Sequence, residues 1–235
     1  PEMKGSAYDG VTVRQLLTMT SGVRWNEDYA DPRSDVAVAG REVPADGSHP
    51  VVHYMKQLPR AAAPGTKHTY STGETDLTGV LVTRATGKTL AAYLSEKIWS
   101  KFGMQAPASW ICDRQGRERG GSGLSITLRD YGRFGLFMLE GGVVDGASVA
   151  PPGWTREATL SQISEPLADG GGYGYQWWAN PDGSYRGSGI FGQGLFIDPA
   201  QNLVVVTLST WGKAVDLALA ENRVRFINAV RKALA

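Results

Sequence analysis

A single cysteine, Cys112, in 235 residues leaves no partner for an internal disulfide and no cysteine cluster for zinc. An excess of one charge is equally lacking. Lys plus Arg number 24 against 23 Asp plus Glu, which gives no basic footprint for nucleic acid and no pull toward an acidic lipid surface. Long hydrophobic runs are missing too. The longest unbroken aliphatic stretch, Leu203 to Val206, falls far short of the roughly 20 residues that span a bilayer. Glycine and proline, 30 and 12 residues, stay under the ~25–30% that marks disorder. What is there, 42% apolar and 20% charged, is the composition of a globular chain able to bury roughly three quarters of its unfolded surface.

The pattern along the chain changes once. Thr12 can cap a short helix with Val13, Leu16 and Leu17 on one face, ending near Ser21-Gly22. From Trp25 to Gly47 the text is polar, acidic and broken by proline, which predicts a long ordered loop of the kind that usually serves function. Helices are expected over 50–58, with Pro50 in the first turn, and over about 72–86, where Leu77, Val80, Leu81 and Ala85 keep helical spacing before Gly87. Leu90, Leu94, Ile98 and Phe102 mark another, and Thr127 caps one with Tyr131, Phe134, Phe137 and Met138 inward. After about residue 173 the period shortens. Stretches 173–179, 185–190, 195–197 and 203–208 read as four antiparallel strands, followed by an amphipathic helix over 215–234 lying on them. Helices first and a meander afterwards define an α+β chain: a helical, loop-rich region over 1–125, then an antiparallel sheet with flanking helices over 126–235.

Several candidate constellations compete. His49 and His53 have metal-ligand spacing, but Pro50 biases His49 out of the helix, so two surface histidines are the better reading and no metal is expected. Gly-x-Ser-x-Gly does not occur. A Ser–His hydrolase built from His68 with Ser71 or Ser122 is a minor alternative. Tyr70 stands before a helix start and after a Pro64-Gly65 turn, so its phenol points at whatever the turn faces. Spacing alone favours a buried aromatic there. Beside a cation, a phenol can also relay a proton to a leaving group. Gly187-Ser188-Gly189-Ile190 lies on a strand, where two glycines mark either close backbone approach, with an N–H free for an oxyanion, or a bulge. Trp177 and Trp178 point to opposite faces, so at most one lines a pocket.

Taken together the segments resemble the serine β-lactamase and penicillin-recognising superfamily, in the branch of class C β-lactamases, carboxylesterases and nylon-oligomer (6-aminohexanoate-dimer) hydrolases. Val11 to Gly22 resembles the stretch after that branch's nucleophile helix, and Tyr70-Ser71-Thr72 its Tyr-x-Asn motif. Gly121 to Tyr131 resembles its Gly-Gly-then-helix segment, and Gly187-Ser188-Gly189 its Lys-Thr-Gly strand. Asn26 to Pro32, Gln176-Trp177-Trp178 and Gly189 to Gln193 resemble the nylon-oligomer hydrolases most closely. The resemblance covers essentially the whole chain, with the motifs in order.

This resemblance implies an acyl-enzyme mechanism with a Ser-x-x-Lys nucleophile and base, a Tyr that shuttles the proton, and two backbone N–H groups for the oxyanion. None of the eight lysines has Ser three residues before it, and Thr210-Trp-Gly-Lys213 is the sole hydroxyl match. The first ten residues read as the interior of a longer chain, so the sequence is expected to be a C-terminal portion whose own N-terminal segment supplies Ser and Lys. By the resemblance, Tyr70 relays the proton and the Ile190 N–H is one oxyanion donor. Tyr29 and Trp178 close over substrate, with Gly189 and Phe191 beside it. Thr72 in place of Asn removes the amide hydrogen bond typical of β-lactam recognition, and Phe191 in place of a common His and Gly187 in place of Lys weaken recognition of acidic substrates such as penicillins. Carboxylic esters or short amides are therefore the expected small-molecule substrates, without a cofactor. An inactive binding relative is one alternative, and a β-lactamase or D-Ala-D-Ala peptidase another.

Overall fold

The computed structural model describes residues 2–234, which divide into two compact units. Unit 1 comprises residues 1–93 and 110–123, unit 2 residues 94–109 and 124–235. The architecture is α+β, as the change of period predicts. No helix among the described residues is long and apolar enough to cross a membrane.

Unit 1 is built around one helix. α1 (Val13–Leu17) opens with a capping box in which the Thr12 hydroxyl accepts from the Gln15 N–H and the Gln15 side chain accepts from the Thr12 N–H. α2 (Asp35–Ala39) lies inside the stretch read as loop, because Ser34 caps it through the Ala37 N–H; five residues are too few for a periodic pattern to declare them. α3 (Pro50–Met55) ends sooner than expected, at Lys56. α4 (Thr72–Thr86) has the predicted bounds, with Ser71 as N-cap and Gly87 in the left-handed conformation at its end. Leu77 and Val80 are buried as predicted, while Leu81 is 42% exposed. The core joins these two residues with Tyr8, Leu16, Val23, Val51, Val52, Met55 and Leu58.

Glycines let the backbone of Gly120-Gly121 lie directly against α4. A Cβ on Gly120 would sit 2.6 Å from the Thr75 carbonyl oxygen, and one on Gly79 would sit 2.9 Å from the Gly120 Cα. Asp76 fixes the approach by accepting from the Gly121 N–H at 2.8 Å and pairing with Arg119 at 2.6 Å.

In unit 2 the expected helix over 90–102 is split. α5 (Leu90–Leu94) ends as the unit begins and runs on into a π-helical turn, Ser95–Trp99. Two short strands, β1 (Ser109–Trp110) and β2 (Leu124–Ser125), mark where the chain passes from unit to unit. α6 (Leu128–Leu139) starts at Thr127 as predicted, and its buried Asp130 accepts from the Gln105 and Ala106 N–H groups. A two-residue hairpin, β3 (Val143–Val144) and β4 (Ala147–Ser148), and α7 (Trp154–Thr159) follow; neither was signalled.

The main sheet has five antiparallel strands in sequence order, β5 (Gly172–Tyr173), β6 (Trp178–Ala179), β7 (Tyr185–Ser188), β8 (Gly194–Asp198) and β9 (Leu203–Thr207). The single strand expected over 173–179 is in fact the hairpin β5–β6. It turns at Gln176, whose φ is 66°, with the Gly174 N–H donating to the Trp177 carbonyl. α6 packs on this sheet, its Tyr131, Phe134 and Met138 joining Tyr185, Leu195 and Ile197 in a second core. α8 (Leu217–Leu234) is tied to the sheet end by Arg231, which pairs with Asp198 and Asp182 at 2.8 Å. No residue of α8 is buried, and a cavity of about 810 Å³ is lined by α8 together with β7, β8 and β9.

Candidate active site

Unit 1 carries the tyrosines. Ser71, buried at 2% exposure, turns its hydroxyl to the Glu74 N–H and starts α4, so Tyr70 is fixed one residue outside the helix. Burial and the nearby Glu27 carboxylate push the Tyr70 phenol up to about 12. It is therefore a neutral acid at ordinary pH, and the charge acting on it is an anion rather than the cation that would favour a phenolate.

Tyr29 lies on the α1–α2 loop. Its hydroxyl donates to Glu27 Oε1 at 2.5 Å and stands 3.4 Å from the Thr72 hydroxyl. Burial first, then that bond to Glu27, raises the Tyr29 phenol well above its usual range. Tyr29 is thus bonded to the carboxylate whose charge also acts on Tyr70.

Glu27 itself was missed. Its two oxygens accept from the Trp25 indole N–H, the Tyr29 hydroxyl, the Thr72 hydroxyl and, at 3.0 Å, the Thr72 N–H. Its own segment names it as one acid among Asp28 and Asp31. What singles it out is a contact 45 residues away, which no local spacing announces. Thr72, standing where the resembling motif has Asn, has its hydroxyl and its N–H both turned to Glu27.

A second acid lies deeper. Glu74 is 2% exposed, accepts from the Tyr8 hydroxyl at 3.2 Å and from the Ser21 hydroxyl, and its Oε2 has no hydrogen-bond partner. Burial lifts it to about 7. Of the minor Ser–His arrangement, the Ser71 hydroxyl accepts from the Glu74 N–H and His68 Nδ1 faces the Thr18 carbonyl oxygen at 3.1 Å. His53 turns Nδ1 to Glu42 at 2.7 Å, and among the described residues no group of three His, Cys, Asp or Glu is placed to hold a metal.

Unit 2 carries the remaining candidates. β7 ends at Ser188, two residues before the expected 190, and Ile190–Gly192 form a 3-10 turn instead. The Gly189 N–H donates to the Gln193 carbonyl and the Phe191 N–H to the Ala214 carbonyl, both at 2.9 Å. The Ile190 N–H, first in the turn, has no acceptor inside it. Phe191 holds a left-handed φ of 57°, an uncommon conformation for a bulky residue. Ile190 and Phe191 are 37% and 43% exposed.

Close backbone approach occurs at one of the two strand glycines, not both. A Cβ on Gly189 would sit 3.0 Å from Gln193 Cβ, whereas one on Gly187 would meet only Trp177 at an ordinary 3.9 Å. Gly192 is tighter than either: its φ is 88° and a Cβ would lie 2.4 Å from the Trp211 ring. Trp178, half-buried on β6, packs edge-on against Tyr173 with ring centres 5.4 Å apart, while Trp177 meets Tyr185 in the core.

The Beta-lactamase family model matches residues 1–229, and the chain belongs to that family. Its fold is the β-lactamase/transpeptidase-like one. Among characterised sequences it is similar to the 6-aminohexanoate-dimer hydrolase of Paenarthrobacter ureafaciens, at 34% identity over 225 residues, covering 90% of this chain and 57% of that one. Among solved structures it is similar to a candidate 6-aminohexanoate-dimer hydrolase from Bacillus anthracis. That match has a TM-score of 0.83 and 27% identity, covering 99% of this chain and 64% of the other. A class C β-lactamase shares the fold, with a TM-score of 0.63 at 17% identity over 94% of this chain and 70% of its own. The chain spans a little over half the length of the curated relatives it matches.

Proposed function

We propose that this chain is part of a serine hydrolase that cleaves carboxylic esters or small amides through an acyl-enzyme, with the nucleophilic Ser and its Lys base on a segment outside these residues. The Ser hydroxyl loses its proton to Lys as it attacks the substrate carbonyl. The oxyanion takes a hydrogen bond from the Ile190 N–H, and the leaving alcohol or amine takes its proton by way of Tyr70. Water then hydrolyses the ester left on Ser. Tyr29, Trp178, Gly189 and Phe191 are proposed to contact the substrate. An ester or amide without a carboxylate suits a chain that has Gly187 and Phe191 where the resembling motif carries cationic residues.

The observation that carries this reading is Tyr70: a neutral phenol held at the start of α4, at the motif position where the family's proton relay stands. The test uses residues 1–235 with and without an upstream segment bearing Ser-x-x-Lys. Alone, the chain should form no covalent adduct with a fluorophosphonate by mass spectrometry. With the segment present, one adduct should form on its Ser, and Tyr70→Phe should lower ester turnover about 100-fold. A stoichiometric adduct on any Ser of residues 1–235 overturns the proposal, and an upstream frame lacking Ser-x-x-Lys makes the protein a non-catalytic binder.

A further inference from the structure

Glu27 is placed as no other acid in unit 1 is. A carboxylate offers about four lone-pair positions, and here four donors face it: the Trp25 indole, the Tyr29 phenol, and the hydroxyl and backbone N–H of Thr72. Those donors come from its own loop and from the first residue of α4, two segments far apart in sequence. A carboxylate so filled has no position left for a substrate amine or hydroxyl. It also meets the N-terminus of a 15-residue helix, where a negative charge is favoured by the exposed N–H groups and the aligned peptide dipoles.

We propose that Glu27 is a positioning residue, clamping Tyr29 to the first turn of α4 and thereby setting the two phenols, Tyr29 and Tyr70, that flank it. The inference rests on the reading of these tyrosines as site residues. It adds two things. The helix N-terminus, an attractive seat for an anionic substrate, already holds its anion, so this end of the site selects uncharged groups. Thr72 belongs to the clamp and makes no hydrogen bond to substrate. Burial first, and then the Glu27 charge near Tyr70 and the Glu27 hydrogen bond to Tyr29, hold both phenols protonated to higher pH than an ordinary phenol, in the form that donates to a leaving group. Of the other titratable groups on the segments around them, Asp35 is engaged by the Asn26 N–H and Tyr54, Asp76 by Arg119 and Gly121, Glu74 by Tyr8 and Ser21, Asp28 and Asp31 by the Ala30 and Arg33 N–H groups, and His68 faces the Thr18 carbonyl; Lys67 lies three residues before Tyr70 and Arg24 five before Tyr29.

The test follows the phenols directly, without substrate. The protein is labelled with 13C at tyrosine Cζ, and the Tyr29 and Tyr70 signals are assigned by the corresponding Tyr→Phe variants. In the parent protein both signals should hold the neutral-phenol position up to pH 11. Glu27→Gln should bring the onset of Tyr70 ionisation down by ~1 pH unit and broaden or shift the Tyr29 signal as its clamp is lost. Thr72→Val keeps the Glu27 charge but removes one donor. It should perturb Tyr29 while leaving the Tyr70 onset in place, and it decides the matter if Glu27→Gln does not fold. Unmoved signals in the variants that fold would overturn the proposal. Signals that move as expected while ester turnover is indifferent to Tyr70→Phe would instead sink the assignment of Tyr70 as proton relay and leave the clamp standing.

Discussion

The two units hold their candidate residues in opposite ways. In unit 1, Tyr70 and Tyr29 are half-buried beside a helix start, and Tyr29 donates to a carboxylate that also accepts from the Thr72 N–H. In unit 2, Ile190 and Phe191 stand exposed on a turn whose backbone, not its side chains, is the organised part. The roles proposed for these residues account for the contrast. A phenol that moves protons needs a controlled electrostatic setting, whereas a polarising amide needs only a rigid backbone direction. The cores differ as well. Both units bury acids, but those of unit 2, Asp130 on α6 and Asp198 on β8, have hydrogen-bond partners on both oxygens, whereas Glu74 of unit 1 keeps an Oε2 with none.

The sharpest way to break this comparison is at Ile197, which is wholly buried in the unit 2 core. Ile197→Ala should cost about 4 kcal/mol in urea unfolding, from lost transfer energy plus the cavity. Amide exchange should show β8 and β9 losing protection before α4. Equal loss in α4 would mean the units melt together, and the contrast between their cores would lose its meaning.

A somewhat smaller effect is expected from the buried acid of unit 1. Glu74 ionises near 7 in the folded chain against an ordinary 4.5, so between those values the native state holds a proton that the unfolded chain has released. Stability is therefore full below about 4.5, falls as pH rises through the window, and is level above 7. At ~1.4 kcal/mol per unit the swing is roughly 3 kcal/mol. Glu74→Gln should flatten the melting temperature across that range; an unchanged slope would place the titration elsewhere.

The smallest effect is predicted on α8. Phe226 is 55% exposed and no residue of that helix is buried, so Phe226→Ser should change unfolding free energy by ~0.5 kcal/mol or less. A larger loss would show that α8 is held by more than its arginines.

Where a residue's role is local, the sequence declared it. Thr12, Ser71 with Gly87, and Thr127 announce their helices because caps act within four residues, and the short runs separated by the turns at Pro181-Asp-Gly183 and Asp198 to Asn202 give the meander. Tyr70 is proposed as a site residue through its motif alone. What escaped was either too short or too distant. α2 and the β5–β6 hairpin rest on a single cap or one left-handed glutamine, and Glu27 acquires its meaning only when α4 folds back to it. The acids of α4 were passed over for a related reason. Glu74 and Asp76 sit on a face that a hydrophobic count ignores, yet they are more buried than Leu81.

The position of Tyr70, one residue ahead of the Ser71 cap, also limits how it can act. The backbone on either side of it is held, the Thr69 N–H by the Met19 carbonyl and Ser71 by its place as the cap, so the reach of the hydroxyl oxygen is an arc swept by one side-chain torsion, χ1. Rotations of that kind are far faster than the microsecond-to-millisecond movements of loops and lids. A proton handed over by this residue would thus be delivered from a fixed post, with the timing of turnover left to other parts of the molecule.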